Sequence, residues 1–193
     1  MAELYTRQGL FQKAIPLYKR SLAISEEALG ASHPKLAILL NNFALTFSYQ
    51  GFFSKAESLF QRALVIKEKA LGLEHPSLAK TLNNLALAYD HQGFFTKSEP
   101  LYQKALSINE KAYGVDHPET ALALNNLSLN YFWRGLYNKS EPLLLRALAI
   151  NETLYGADHL DTIGVLYNLA FLYDQKGLFS KSESLYQRAI KSS

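Results

Sequence analysis

Residues 79–108 have the sequence AKTLNNLALAYDHQGFFTKSEPLYQKALSI, from which the architecture of the chain can be inferred. Apolar and small residues recur every three or four positions on both sides of Gly93. They are Ala79, Leu82, Leu85, Ala86 and Tyr89, followed by Leu101, Tyr102, Ala105, Leu106 and Ile108. This spacing is the period of an amphipathic helix. The stretch therefore predicts two helices joined by a glycine turn.

This hairpin recurs along the chain with a constant period. One glycine series recurs every 42 residues from Gly9 to Gly177, and a second does so from Gly30 to Gly156. Self-similarity at a period of about 20–50 residues is typical of repeat proteins. We therefore predict an all-α fold, a single array over 1–193 of hairpins with a first helix A and a second helix B. The repeat units are placed at approximately 1–33 (partial), 34–75, 76–117, 118–159 and 160–193 (partial).

Local residue patterns mark the helix ends. The glycines are suited to close helices because they adopt the left-handed conformation of a C-terminal cap. Helix A begins near a recurring His-Pro pair, with proline in the first turn. Helix B begins with Ser54-x-x-Glu57, which matches a capping box, and two further copies of this motif occur at Thr96-x-x-Glu99 and Ser180-x-x-Glu183.

Composition excludes several classes of function. The chain has 193 residues, 48% of them hydrophobic, and a net charge of +3, which leaves little excess charge for a phosphate backbone. There is no cysteine, hence no disulfide and no thiolate ligand. No signal peptide and no apolar run of about 20 residues is present. We predict a cytoplasmic protein that binds neither nucleic acid nor membrane.

No catalytic or cofactor site is predicted. The histidines His33, His75, His117 and His159 belong to different hairpins, so they are too far apart to share a metal ion, and a loop-stabilising role is expected. No Ser/His/Asp set, paired carboxylate or phosphate-binding glycine loop departs from the repeat pattern. The protein is predicted not to be an enzyme and to need no cofactor or metal.

The residues of 79–106 resemble a tetratricopeptide repeat, through Leu-x-Asn-Leu-Ala-x-Ala-Tyr before Gly93 and Tyr-x-x-Ala-Leu after it. Such repeats normally have a shorter period and end helix B with proline. This chain has glutamate there, at Glu26, Glu68, Glu110 and Glu152, so helix B is predicted to continue to the next glycine. The longer period resembles the kinesin light chain type of repeat, which is also widespread in bacterial multi-repeat proteins.

This resemblance implies a right-handed superhelix with a concave groove lined by helix A. The family's groove positions, carried onto this sequence, combine amides with apolar side chains. An asparagine row would hold the backbone of an extended peptide, and an apolar row would take its side chains. The predicted peptide-binding residues are Asn41, Leu45, Lys80, Asn83, Leu87, Asn125, Leu129, Phe132, Tyr167 and Phe171.

Other interpretations of these rows remain open. The same asparagines and leucines are also suited to packing against helix A of the adjacent repeat. For the neighbouring asparagines, Asn42, Asn84, Asn126 and Asn168, an inter-repeat hydrogen bond is expected. Lys80 is the only basic residue at the groove positions, so a groove selective for acidic ligands is not expected. The helix B lysines Lys55, Lys97, Lys139 and Lys181 are predicted to be solvated. Trp133 is predicted to be a partly buried packing residue, with a ligand anchor as the alternative.

The main functional hypothesis is a protein–protein interaction scaffold that binds an extended peptide or partner segment in the groove. A second hypothesis is a regulatory or sensor arm of a larger protein, because similar bacterial arrays are joined to CHAT proteases or nucleotide-binding switches. A third is end-to-end self-association through exposed terminal hairpins.

Overall fold

The computed structural model describes residues 1–191, and all regular structure in that part of the chain is helical. The described residues form ten helices in tandem hairpins, which confirms the predicted fold class. The helices are α1 (Ala2–Arg7), α2 (Phe11–Leu29), α3 (Pro34–Tyr49), α4 (Phe53–Leu71), α5 (Ser77–Asp90), α6 (Phe95–Tyr113), α7 (Pro118–Trp133), α8 (Tyr137–Tyr155), α9 (Leu160–Gln175) and α10 (Phe179–Lys191).

The chain divides into two compact units, Met1–Ile108 and the described residues from Asn109 onward. In the first unit α3 packs against α4 within its hairpin and against α2 and α5 in the flanking hairpins. In the second unit α7 packs against α8, α8 against α9, and α9 against α10. Within each unit these helices therefore contact their sequence neighbours, as expected for stacked repeats.

The core of the first unit joins successive hairpins. Phe60 of α4 is 0% exposed and belongs to the same buried cluster as Tyr18, Phe43 and Leu85, which lie on α2, α3 and α5. A second cluster joins Leu82 of α5 to α6 within one hairpin, and the partly buried Leu64 of α4 packs against it from the preceding hairpin. The second unit buries equivalent leucines on α7, α8 and α9, and these are Leu124, Leu144 and Leu166. Burial is thus shared between hairpins.

Helix B is extended, as predicted. Helix α4 continues past Glu68 to Leu71 and is closed by Gly72, whose φ of +86° lies in the left-handed region. The Gly72 N–H donates to the Glu68 carbonyl at 3.0 Å. Because glutamate keeps the backbone N–H that proline lacks, the helix gains the residues up to the glycine.

The predicted capping boxes are wrong. Helix α4 begins at Phe53, before Ser54, and no side chain caps it. The Phe52 N–H bonds the Phe47 carbonyl at 2.9 Å, so the turn after Gly51 leads directly into the helix. Ser54 and Glu57 instead bond the side-chain amide of Gln92 at the end of α5. Helices α6 and α10 also begin one residue before their hydroxyl residues, at Phe95 and Phe179.

The glutamates that extend helix B form ion pairs between hairpins. Glu26 pairs with Arg62 at 2.5 Å and Glu68 with Lys104 at 2.8 Å in the first unit. In the second unit Glu110 pairs with Arg146 at 2.7 Å, and Glu152 with Arg188. Each basic residue lies 36 positions after its carboxylate. The pairs therefore connect each helix B to helix B of the following hairpin.

The four loop histidines cap helix A, which confirms their predicted loop-stabilising role. In each case the ring Nδ1 accepts the backbone N–H two residues later, at 3.2 Å. Nδ1 accepts only when the proton is on Nε2. His117 and His159 also stack on Tyr113 and Tyr155, with ring centroids 4.6 and 4.4 Å apart. The histidines thus hold the turn between helix B and the next helix A.

We expect His33→Ala to lower the free energy of unfolding by about 1 kcal/mol, because the Lys35 N–H loses its acceptor. His33→Asn supplies another acceptor and should retain most of the stability. Urea denaturation followed by circular dichroism measures both. Equal losses in the two variants would show that the cap is not what the imidazole contributes.

Candidate functional site

Each unit exposes large apolar side chains on its helices A. We define the first A face as Ile38, Leu45, Lys80 and Leu87, and the second A face as Leu122, Leu129, Tyr167 and Phe171. Several of these side chains are highly exposed for residues of their types: Ile38 is 66% exposed, Leu87 49%, Leu122 50% and Phe171 43%. Leu87 stands between Ala86 and Ala88, both of which are buried. The apolar surface of helix A is therefore wider than the part of it that packs into the core.

The predicted peptide-binding residues fall into three groups by exposure. Lys80, Leu87, Tyr167 and Phe171 are exposed, and Leu45, Asn125 and Leu129 are partly buried. Asn41, Asn83 and Phe132 are buried, at 7%, 8% and 6% exposure. The exposed groove residues are thus mainly apolar, and the asparagine row is less accessible than its sequence position suggests.

The two asparagine rows hydrogen-bond each other. Asn84 donates from Nδ2 to Oδ1 of Asn41 at 3.4 Å, and Asn168 donates in the same way to Asn125 at 2.9 Å. The inter-repeat hydrogen bond predicted for Asn84 and Asn168 is therefore confirmed. Oδ1 of Asn41 and of Asn125 thus already accepts a hydrogen bond within the protein. The peptide-binding role of this row stays a prediction. Oδ1 of Asn83 is buried and has no hydrogen-bond partner.

Two predicted apolar residues share a cleft in the first unit. Leu45 and Leu87 line a cleft of about 320 Å³ together with Phe53, His91 and Asn84. The Phe53 ring stacks on the His91 imidazole, with centroids 4.4 Å apart. The cleft therefore has leucine walls and an aromatic edge, a composition suited to an apolar side chain.

A second cleft in the first unit carries lysines. It has a volume of about 350 Å³ and is lined by Ile38, Leu71, Lys35 and Lys67, among others. Lys67 donates from Nζ to the Ser77 carbonyl at 2.7 Å and to Thr81 Oγ1 at 2.9 Å. Burial lowers the pKa of the Lys67 ammonium, and nearby Lys80 lowers it further.

Aromatic side chains cluster on the second unit at the end of α7. The Phe132 ring lies 5.2 Å from Trp133, 5.5 Å from Tyr137 and 5.0 Å from Phe171, centroid to centroid. The predicted partial burial of Trp133 is wrong, because its side chain is 63% exposed. The buried ring is that of its neighbour Phe132, so the helix turns Trp133 outward.

The helix B lysines are exposed as predicted, yet they also contact aromatic rings. Lys55 Nζ lies 4.8 Å from the centroid of Phe52, and Lys97 Nζ lies 4.6 Å from that of Phe94. Lys139 and Lys181 lie over Tyr131 and Tyr173 at 5.3 and 5.1 Å. The repeated contact is a cation–π interaction, which sequence reasoning missed.

Carboxylates also connect helix B to the next helix A. Glu141 accepts from the Tyr173 hydroxyl at 3.0 Å and from Lys176 Nζ at 2.5 Å. The bond from Lys176 lowers the pKa of the Glu141 carboxyl.

Among the described residues, no group of three or more histidine, aspartate or glutamate side chains is arranged to hold a metal ion. None of the helices in residues 1–191 is both long and apolar enough for a membrane span.

The fold and the exposed helix faces define a helical-repeat protein. The tetratricopeptide repeat family model matches residues 1–69, 40–93, 77–132 and 121–193. The chain belongs to the tetratricopeptide repeat family. Proteins built from this repeat generally act as protein–protein interaction scaffolds and are typically non-enzymatic.

Solved structures agree with this assignment. BtubC (BKLC) from P. vanneervenii is 27% identical with a TM-score of 0.87, and the alignment covers 99% of this chain and 76% of BtubC. A putative kinesin light chain of Podosopora anserina with nearly identical TPR-like repeats is 24% identical with a TM-score of 0.84, and the alignment covers 99% of this chain and 90% of that protein.

A Rap protein complexed with Competence and Sporulation Factor is 20% identical with a TM-score of 0.79, covering 99% of this chain and 51% of the Rap protein. No curated protein sequence matches the chain. The family match and these neighbours identify a tetratricopeptide repeat protein of the kinesin light chain-like type.

Proposed function

We propose that this protein is a scaffold that binds an extended segment of a partner protein along the A faces. The observation that carries the proposal is the exposure of large apolar side chains on helix A, where Leu87 and Leu122 are half exposed. Contiguous exposed apolar surface marks interaction sites in folded proteins. Helix B also exposes apolar residues, such as Val65, but its face is interrupted by the ion pairs between hairpins.

The A faces are suited to holding apolar side chains of the ligand. In the first unit the cleft between Leu45 and Leu87 has room for one such side chain. In the second unit Phe171 and the exposed Trp133 both contact the Phe132 ring and offer flat apolar surface. Since Asn41 and Asn83 are buried, we assign the main grip to these apolar residues and only a supporting one to the amides.

A random peptide library displayed on phage tests the proposal. Peptides selected on the unmodified chain are expected to bind Leu87→Arg at least tenfold more weakly, because a charged side chain would occupy the cleft wall. The matched control is Val65→Arg, which changes an equally exposed residue on helix B. It should leave affinity unchanged.

Fluorescence anisotropy of the labelled peptides gives the affinities, and circular dichroism checks that both variants fold. Peptides that lose affinity for Val65→Arg but not for Leu87→Arg would place binding on helix B. A library that yields no binder would contradict the scaffold role.

A further inference from the structure

A cleft in the second unit differs from its equivalents in the other hairpins. It has a volume of about 370 Å³ and lies among the first halves of α7 and α9 and the last turn of α8. Gly164 and Leu160 of α9 line it, together with Leu122 of α7 and Tyr155 of α8. Asn168 and Asn125, joined by their 2.9 Å hydrogen bond, also belong to the lining.

Two residues of this cleft depart from the repeat pattern. The positions equivalent to Gly164 hold Ile38, Lys80 and Leu122, and those equivalent to Leu160 hold proline. Gly164 lies inside α9 without a positive φ, and a Cβ built there meets no atom within 4 Å. Neither strain nor crowding requires glycine, which lowers helix stability relative to alanine. The missing side chain leaves open space above the helix.

The walls of the cleft are apolar. Leu160 is 81% exposed, Leu122 50% and Tyr155 41%. Tyr155 is held in place by its stack on His159. Such walls are suited to the methylene groups of a long side chain.

The cleft also carries negative charge and no lysine or arginine. Its two ionisable residues besides Tyr155 are Glu119 and Asp161, at equivalent positions in the first turns of α7 and α9. The Asp161 carboxylate lies 3.6 Å from His159 Nδ1, but this nitrogen accepts the Asp161 backbone N–H and therefore offers the carboxylate no proton. The equivalent cleft of the first unit has Lys35 and Ser77 at these positions.

Helix stability does not account for these carboxylates. Acidic residues in a first turn do interact favourably with the helix dipole. However, α3 and α5 have no acidic residue in their first turns, and in both helices a histidine Nδ1, of His33 or His75, accepts a backbone N–H of the first turn. The side chains of Glu119 and Asp161 are therefore not required to begin helix A.

We propose that this cleft receives a lysine or arginine side chain of the bound peptide. Its methylene groups would pack between Leu122, Leu160 and Tyr155, and its cation would lie at the carboxylates of Glu119 and Asp161. The inference rests on the proposed peptide-binding function and deepens it, because it names the side-chain class that the second unit selects.

The test uses a minimal probe whose binding does not depend on a whole peptide. N-acetyl-arginine N-methylamide is titrated into the ¹⁵N-labelled chain, and amide shifts are followed by NMR. The matched probe is the citrulline analogue, which has nearly the same shape but no charge. We expect saturable shifts at Leu122, Asp161 and Gly164, with citrulline binding at least fivefold more weakly.

Two variants separate the walls of the cleft from its charge. Gly164→Leu fills the cleft with a residue that Leu122 shows to be compatible with this helix position, and it should abolish the saturable shifts. Glu119→Gln with Asp161→Asn should reduce the arginine affinity to that of citrulline. The control, Glu27→Gln with Glu183→Gln, removes two exposed carboxylates elsewhere and should change nothing.

The outcomes decide the proposal. Equal binding of arginine and citrulline, or arginine shifts that persist in Gly164→Leu, would overturn it, the second by showing that the cation binds at exposed carboxylates only. If the arginine probe does not bind this cleft while library peptides still bind and lose affinity in Leu87→Arg, the scaffold function stands and only the cleft proposal fails. Arginine binding at the cleft without any peptide binder would support the site and contradict the scaffold role.

Discussion

Phe60→Ala is expected to lower the free energy of unfolding by about 3–5 kcal/mol, the usual cost of deleting a buried aromatic ring. Phe60 is 0% exposed and shares its cluster with residues of α2, α3 and α5. Because the ring joins three hairpins, its loss weakens the interfaces between repeats as well as one helix. Urea denaturation followed by circular dichroism measures the change.

Two variants serve as controls for this prediction. Phe60→Leu should cost much less, because the equivalent position in α8 is Leu144, which is 1% exposed. Phe179→Ala removes a ring that is 68% exposed and should change stability by less than about 0.5 kcal/mol. A loss for Phe60→Ala no larger than that for Phe179→Ala would contradict the assignment of Phe60 to the core.

Glu68→Pro is expected to cost about 3 kcal/mol, because proline removes a helix hydrogen bond and its ring clashes with the carbonyl of Leu64. The substitution introduces proline, the residue that ends helix B in the shorter repeats of this family. Unwinding 69–71 would also remove the 3.0 Å bond from Gly72 to the Glu68 carbonyl. The adjacent Lys67 would no longer be held beside Ser77 at the start of α5.

The matched controls separate the helix from the ion pair. Glu68→Ala removes only the 2.8 Å pair with Lys104, which is partly exposed and worth up to about 1 kcal/mol. Ser58→Pro places proline where α2, α6 and α8 already contain Pro16, Pro100 and Pro142, so it should be tolerated far better.

Hydrogen exchange of the amides from 69 to 81 locates the effect along the chain. Faster exchange confined to this segment in Glu68→Pro is the expected result. If Ser58→Pro were as damaging as Glu68→Pro, the extended end of helix B would have no special role in joining the hairpins.

The helices and their C-terminal ends could be predicted from sequence because they depend on local backbone preferences, whereas helix B begins one residue before the predicted capping residue. Apolar residues spaced by three and four positions fix which segments form helices. Gly51 and Gly72 adopt positive φ at the predicted ends, and glutamate in place of proline lets α4 reach Leu71. These features are repeated every 42 residues, so the sequence contains several copies of the same evidence.

Apart from the hydrogen bond between the two asparagine rows, side-chain contacts between hairpins could not be predicted from the same patterns. Ser54 and Glu57 have the spacing of a capping box, yet they bond Gln92 in the turn that follows the next helix A. The repeat pattern places Glu26 and Arg62 on different hairpins. Only the stacking of these hairpins brings the Arg62 guanidinium within 2.5 Å of the Glu26 carboxylate. Where a side chain has one possible partner in its own helix and another in the next hairpin, the packing of the hairpins decides which hydrogen bond forms.

The hairpin repeat, the C-terminal ends of the helices and the helix A face proposed for binding all follow from residue patterns in the sequence. Which residues on that face are accessible depends on the packing of the hairpins and was not evident from sequence. Asn83 is buried whereas Leu87, one turn later, is half exposed, and Trp133 points outward above a buried Phe132. The helical period fixes the direction in which each side chain leaves its own helix axis. Its exposure depends instead on how closely the adjacent helix packs beside that residue.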